Sequence, residues 1–311
     1  EVPLRPIVTS PPASRRRATL SARRVKSGAM AGFHARASDT VVPIPGCHLL
    51  HPDLMSALPV AEALARAGAS RKGELSVQAT TSRTGLDIAV RGGKPLDAAL
   101  RTTLAELAGQ HALARLAWEA EVIAMRARPE QAIGRCRVTP PPGAFLQATA
   151  EGERALQAAV AQALSGAGRI VDLFAGCGTF ALPMAEAARV HAVEGDAAML
   201  AALDHGWRHA TGLKPVTTEA RDLFRRPLLA DELRGADGVV IDPPRAGAEA
   251  QTAELARAGP ARIAMVSCNP VTFARDARIL VDAGYRIGFV QVVDQFRWST
   301  HVELVAGLEP A

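Results

Sequence analysis

A chain of 311 residues has room for two domains or one large one, and nothing in it approaches the ~18 uninterrupted apolar residues of a membrane span. Four cysteines (Cys47, Cys136, Cys177, Cys268) lie far apart with no C-x-x-C pair, which argues against a disulfide framework or a self-contained zinc site and suits a reducing cytoplasm. The net charge of +5 is local: residues 1–40 carry eight Arg or Lys against Glu1 and Asp39, while the rest of the chain holds 28 basic and 29 acidic residues. A basic segment beside a near-neutral body suggests contact with a polyanion, nucleic acid first; a solvated tail is the plainer alternative.

No basic, apolar and small-residue leader opens the chain, and its first residue is Glu1 rather than Met, as in a piece cut from a longer gene product. Residues 1–14 are rich in Pro, Ser and Thr and read as an extended lead-in. From Arg16 to Ile44 apolar residues alternate, which predicts two or three antiparallel strands with Ser27-Gly28 as a turn. Leu and Ala spacing predicts a helix over Asp53–Ala67, closed by Gly68. Strands follow near Glu74–Thr80 and Leu86–Arg91, then a helix near Leu96–Leu107 and strands around Ala114–Trp118 and Val122–Arg126. Pro140-Pro141-Pro142-Gly143 ends this mixed α/β region, because three prolines continue neither a helix nor a sheet interior. The boundary divides residues 1–139 from residues 140–311. Beyond it a helix over Glu151–Leu164 precedes strand–helix pairs at Ile170–Phe174, Val190–Glu194, Gly238–Asp242, Arg262–Ser267 and Arg286–Val293. That alternation predicts a doubly wound, mostly parallel sheet, whose ligands bind at the carboxyl ends of the strands.

The strand Ile170–Phe174 runs into Ala175-Gly176-Cys177-Gly178-Thr179, a glycine turn that lets a ligand approach the backbone. The next strand ends in Glu194, placed for ribose hydroxyls, and Asp222 could meet an adenine edge. The glycines alone do not separate a nicotinamide dinucleotide from S-adenosylmethionine. Asp242-Pro243-Pro244-Arg245 sets a rigid carboxylate at a strand mouth, where it could accept from an N–H of a planar base. One strand later Ser267-Cys268-Asn269-Pro270 puts a thiol where a helix begins, in a field expected to favour the thiolate. A small buried hydrophobe is the alternative for Cys268. Glu303, inside the apolar strand Val302–Val305, is either a base or half of a buried ion pair. Together they match one requirement: uracil C5 becomes nucleophilic only after a thiolate adds to C6, and a base must then remove the C5 proton.

These motifs resemble the RNA uracil-C5 (5-methyluridine) methyltransferases. The match runs in one order through Phe145-Leu146-Gln147, Asp172-Leu173-Phe174-Ala175-Gly176-Cys177-Gly178-Thr179-Phe180, Val193-Glu194-Gly195, Asp242-Pro243-Pro244-Arg245-Ala246-Gly247, Val266-Ser267-Cys268-Asn269-Pro270 and Thr300-His301-Val302-Glu303. The resemblance implies a Rossmann-like class I methyltransferase domain over 140–311, preceded by a smaller mixed α/β RNA-binding domain. It implies Cys268 as nucleophile and Glu303 as base. Asp242 would stand between cofactor and uracil, and Gln147, Phe174, Gly176, Gly178, Thr179, Glu194, Asp222 and Asp242 would hold S-adenosylmethionine. Thr179 stands where several relatives have Asn. In the branch that acts on 23S ribosomal RNA, a cysteine at the position of Cys47 is the fourth ligand of a [4Fe–4S] cluster. One thiolate holds no cluster, so a complete site is expected only in a longer chain. The resemblance implies a cytoplasmic monomer acting on RNA, with ribosomal RNA favoured over transfer RNA. A nicotinamide-dependent oxidoreductase would leave the Asp-Pro-Pro-Arg and Ser-Cys-Asn-Pro runs unexplained. An inactive RNA-binding module would leave Cys268 and Glu303 without a purpose.

Overall fold

The structure is a computed structural model that describes residues 2–311; Glu1, counted above in the N-terminal charge, lies outside the described residues. The chain forms two compact units. The first comprises the residues up to Ser10, Ala132–Val138 and Glu151–Ala311; the second comprises Pro11–Gln131 and Thr139–Ala150. The division is therefore not the single cut at 139/140 that the prolines suggest, and hydrogen bonding supplies the reason. The lead-in contains β1 (Val8–Thr9), an edge strand of the first unit's sheet rather than a free extension. Arg5 stacks its guanidinium 3.4 Å from the Phe289 ring centroid, and Gln291 Nε2 donates to the Pro6 carbonyl at 2.8 Å. The proline segment stays with the second unit. There Arg115 donates to the Pro140 carbonyl, Gln78 to that of Ala144, and Arg16 to that of Gln147.

In the second unit β2 (Arg17–Val25), β3 (Gly28–His34) and β4 (Val41–Val42) lead to α1 (Pro52–Met55) and α2 (Ala57–Gly68). Then come β5 (Glu74–Ser82), β6 (Gly85–Arg91), α3 (Ala98–Gln110), β7 (Arg115–Trp118) and β8 (Glu121–Met125). The seven strands lie in the order β4-β3-β2-β5-β6-β7-β8, antiparallel except for the β6–β7 pair. The basic N-terminal segment is thus no tail. β2 is hydrogen-bonded on both sides and buries Ala18, Leu20 and Ala22 on one face. Those side chains join Leu64, Leu75, Ile88 and Leu116 in the unit's core. The buried Arg115 forks onto Asp87, Nε to Oδ1 at 2.8 Å and Nη2 to Oδ2 at 2.6 Å, which satisfies a charge that would otherwise be costly.

β9 (Gln131–Ile133) and β10 (Cys136–Val138) form a two-stranded sheet of their own. The first unit continues through α4 (Ala150–Ala163), β11 (Arg169–Leu173), α5 (Ala181–Met184), β12 (Arg189–Glu194), α6 (Ala197–Arg208), β13 (Val216–Ala220) and β14 (Gly238–Ile241). It ends with α7 (Glu249–Ala258), β15 (Arg262–Ser267), α8 (Pro270–Asp282), β16 (Tyr285–Asp294) and β17 (Glu303–Pro310). Its eight strands run in the order β1-β16-β17-β15-β14-β11-β12-β13. All pair in parallel except β17, which is antiparallel to both β15 and β16. The expected doubly wound sheet is present. Strand order reverses around β11, which opens a crevice at the carboxyl ends of the strands. Among the described residues no helix is long and apolar enough to cross a membrane.

Candidate active site

Register aligns residues that lie far apart in sequence. Leu173 of β11 pairs with Val193 and with Ile241, so the next step along the ladder sets Phe174, Glu194 and Asp242 side by side at the carboxyl edge. On the far side of β14, Ser267 pairs with Leu304 of the antiparallel β17. One further step brings Cys268 opposite Glu303. The antiparallel insertion of β17 is what delivers a C-terminal glutamate to the end of a sheet where every other strand finishes.

Local chemistry fixes each group. Asn269 caps α8, its side chain accepting from the Val271 amide at 3.1 Å, and Pro270 occupies the first turn. Its Nδ2 also donates to the Arg245 carbonyl at 3.0 Å, and Thr272 Oγ1 donates to the same oxygen at 3.2 Å. Asn269 therefore ties the loop that carries Asp242 to the loop that carries Cys268. The sequence shows only its capping role, because the second partner lies 24 residues away. Phe174 adopts φ +63°, an uncommon backbone for a bulky side chain, and its ring lies 5.4 Å from that of the half-exposed Phe224. Phe224 was not anticipated; an exposed aromatic two residues after Asp222 is the signal that could have found it.

The electrostatics correct one expectation. A helix N-terminus was expected to favour the Cys268 thiolate, but burial, reinforced by Glu303 and Asp242, pushes the thiol above its usual pKa, and Arg245 pulls it down. Burial also lifts Glu303 to about 8, with Asp242 adding and Arg245 opposing, and it lifts Asp242 to about 7. Neither carboxylate has a hydrogen-bond partner among the described residues. When the two acids carry protons, their repulsion of the thiolate vanishes, so the three groups set one another's ionisation. Thiolate formation requires alkaline conditions, so log kcat/KM should climb from about pH 6 to beyond pH 8. Arg245→Ala should move that limb to higher pH, because Arg245 lowers both Cys268 and Glu303. A profile that falls above pH 7 would contradict this ordering.

The glycine turn has the features a nucleoside needs. Gly176 sits at φ +56° with nothing within 4 Å of where a Cβ would project, whereas a Cβ on Gly178 would strike Leu182 and Leu203. Gly176 thus leaves room for a ligand, and Gly178 is a packing glycine. Glu194 is held by the amides of Gly176 and Asp196, each at 3.0 Å, and each oxygen keeps a lone pair for a hydroxyl. Among the described residues Asp172, wholly buried beneath the turn, has no well-formed hydrogen bond on either oxygen. Burial first, then Asp242 and more weakly Glu194, push its pKa well above the carboxylate range, against a downward pull from the Ala181 amide. An orphaned acid under an open glycine turn fits a bound ligand that brings its own donors. Thr179 is half-buried at the turn's end, and its carbonyl accepts from Gln157. Asp222 accepts from the Phe224 and Arg225 amides, a local cap just past β13. Gln147 is buried in the second unit.

Cys47 also belongs to the second unit, where it packs half-buried against the core as a free thiol. Among the described residues no three His, Cys, Asp or Glu are grouped to hold a metal ion. The donor set present does not fit a four-iron cluster, and no step is assigned to one.

A doubly wound sheet with a glycine turn and an acid at its switch-point crevice is the Rossmann-like methyltransferase fold. Comparison with known proteins gives the family. The family model for tRNA (uracil-5-)-methyltransferase matches residues 215–309. An uncharacterized RNA methyltransferase of Rhizobium meliloti is 46% identical over 97% of this chain and 73% of its own length. A 23S rRNA (uracil(1939)-C(5))-methyltransferase, RlmD, of Burkholderia pseudomallei is 33% identical over 95% of this chain and 68% of its own. The crystal structure of the Pyrococcus abyssi tRNA (uracil-54, C5)-methyltransferase with S-adenosyl-L-homocysteine superposes with a TM-score of 0.76. It covers 99% of this chain and 79% of its own, and at 21% identity it speaks for the fold. The chain is an RNA methyltransferase and belongs to the RNA uracil-C5 methyltransferase family.

Proposed function

We propose that this enzyme methylates C5 of a uridine in 23S ribosomal RNA through a covalent adduct on Cys268. The observation that carries the reading is the placement of Cys268 opposite the buried Glu303, beside Asp242. The Cys268 thiolate adds to uracil C6, and the ring's electrons move to O4 to give an enolate with carbanion character at C5. The Asp242 carboxylate accepts a hydrogen bond from the uracil N–H and so orients the ring. Phe174, Gly176, Thr179, Glu194 and Asp222 would hold S-adenosylmethionine, whose methyl group would bond to C5 as its bond to the sulfonium sulfur breaks, leaving S-adenosylhomocysteine. Glu303 then takes the C5 proton, the C5–C6 double bond re-forms, and the C6–S bond breaks to return the thiolate. A carboxylate whose pKa is lifted to about 8 is a stronger base than a solvated one, which suits a carbon acid. Cys268, Glu303 and Asp242 thus act on the uridine.

Ribosomal RNA as the substrate is supported by the similarity to RlmD, and transfer RNA is the alternative. The cytoplasm, where ribosomal RNA and free thiols coexist, is the compartment this reading implies. The deciding experiment is mass-spectrometric mapping of 5-methyluridine in ribosomal and transfer RNA from a deletion strain. Loss of one 5-methyluridine from 23S RNA supports the reading; loss from transfer RNA alone reassigns the substrate, and no loss refutes the activity.

The second unit offers a surface for the phosphate backbone. Arg24, Val25, Lys26 and Arg71 line a concavity of about 530 Å³, and none of the three cations has an ion-pair partner among the described residues. The neighbouring Glu74 is already engaged by His34 at 2.8 Å. Deleting residues 1–26 would remove β2 from the middle of its sheet, so charge reversal is the informative change. Arg24→Glu, Lys26→Glu and Arg71→Glu together should lower the slope of log affinity against log salt by about 2, at ~0.7 per single-strand phosphate contact. An unchanged slope would remove this face from the interface.

A further inference from the structure

We propose that Trp298 is a stacking platform for an RNA base adjoining the uridine that enters the Cys268–Glu303 site. Aromatic residues are scarce in this chain, and only three are Trp. Trp118 is wholly buried, and Trp207 donates its indole N–H to the Lys214 carbonyl at 3.1 Å. Trp298 differs: 70% of its surface is exposed, more than for Phe145 or Phe224. Its backbone also sits at φ +63°, where a side chain with a Cβ is strained. Such a conformation persists only where the surroundings enforce it.

The surroundings here do so. Asp294 accepts from the Phe296 amide at 2.8 Å, Arg297 Nε donates to the Ser10 carbonyl at 2.5 Å, and the Ser299 amide donates to the Phe296 carbonyl at 3.0 Å. Ser299 Oγ accepts from the His301 amide at 3.0 Å, and the His301 ring stands edge-on to Phe296 at 6.3 Å. A turn pinned on both sides therefore holds one large aromatic outward, with no partner among the described residues that would explain the strain. The turn joins β16 to β17 at the carboxyl edge of the sheet and leads directly into Glu303. An enzyme that reacts at C6 must take its uridine out of the stack, which leaves neighbouring bases with an open face. An exposed indole on the turn that leads into Glu303 can cover one, and the exposed Arg245, past the carboxyl end of β14, suits the adjoining phosphates. Stacking tolerates any base, so Trp298 adds affinity and position rather than sequence choice.

This inference rests on the uracil-methylation reading, and the test separates the two. A short single-stranded oligouridylate is titrated into wild type, Trp298→Gly and Trp298→Phe, with Trp fluorescence and Kd as readouts. Glycine removes the ring and relieves the backbone together, so Trp298→Gly should unfold no earlier than wild type yet bind about tenfold or more weakly, and phenylalanine should restore most of the affinity. Wild-type fluorescence should be quenched on binding, and the quench should be missing in Trp298→Phe. Equal Kd values for wild type and Trp298→Gly, or unquenched wild-type fluorescence, would overturn the proposal. Adduct formation with 5-fluorouridine RNA, run in parallel on wild type, reports on the methylation reading alone.

Discussion

Cys268→Ala is expected to abolish the denaturation-resistant adduct with 5-fluorouridine RNA and to cut methyl transfer by on the order of 10⁴-fold or more. Fluorine at C5 leaves no proton for Glu303 to remove, so wild type stalls with the C6–S bond intact. Alanine removes only the sulfur, at a half-buried position outside the first turn of α8, and the Asn269 cap and its bond to Arg245 remain. RNA affinity should therefore persist while chemistry is lost. Gel-shift and methyl-transfer assays on one preparation check both halves; a stable adduct in Cys268→Ala would place the nucleophile elsewhere.

Glu303→Gln should act later in the cycle. Without a base, the C5-methylated ring stays attached, so a methylated protein–RNA species should accumulate while turnover falls by about 10²–10⁴-fold. Rapid release of product would show that another group takes the proton. The same substitution should stabilise the fold. Burial raises Glu303 from 4.5 to about 8, so between those values the folded state binds more protons than the unfolded one and stability falls as pH rises. Glutamine does not titrate. Its advantage should vanish below about pH 4.5 and reach at most about 5 kcal/mol above pH 8, at ~1.4 kcal/mol per pKa unit. Thermal melts across that pH range check the window. A destabilised Glu303→Gln at pH 8 would mean the carboxylate is better solvated than its surroundings indicate. Activity and stability thus pull in opposite directions at this position.

The parts of the site legible in sequence are those fixed by local chemistry. Asn269-Pro270 announces a helix start, and the glycines after Phe174 announce a turn. The strands that lead into Asp242 and Cys268 read clearly because they are apolar and buried on both faces, while the strand ending in Glu194 buries mainly Val190, Ala192 and Val193. What stayed hidden depends on long-range pairing. No local signal says that β17 inserts antiparallel between β15 and β16, yet that insertion alone brings Glu303 to Cys268. The thiol's environment was misjudged for the same reason: the helix end is visible in four residues, whereas the opposing carboxylates come from other strands. The alternation of Ala18, Leu20 and Ala22 was legible despite the surrounding charge, and it is what seats β2 in a core. The short strands β1, β9 and β10 carry too few residues for a period to show.

The proposed chemistry turns on the Cys268 sulfur, the atom that bonds to uracil C6. Wild-type enzyme incubated with S-adenosylmethionine and 5-fluorouridine-substituted 23S RNA, digested with protease and nuclease, should yield one modified peptide by mass spectrometry. This peptide should span Cys268 and carry a 5-fluoro-5-methyl-dihydrouridine on its sulfur. The adduct on any other residue, or methylated RNA with no adduct at all, would contradict it.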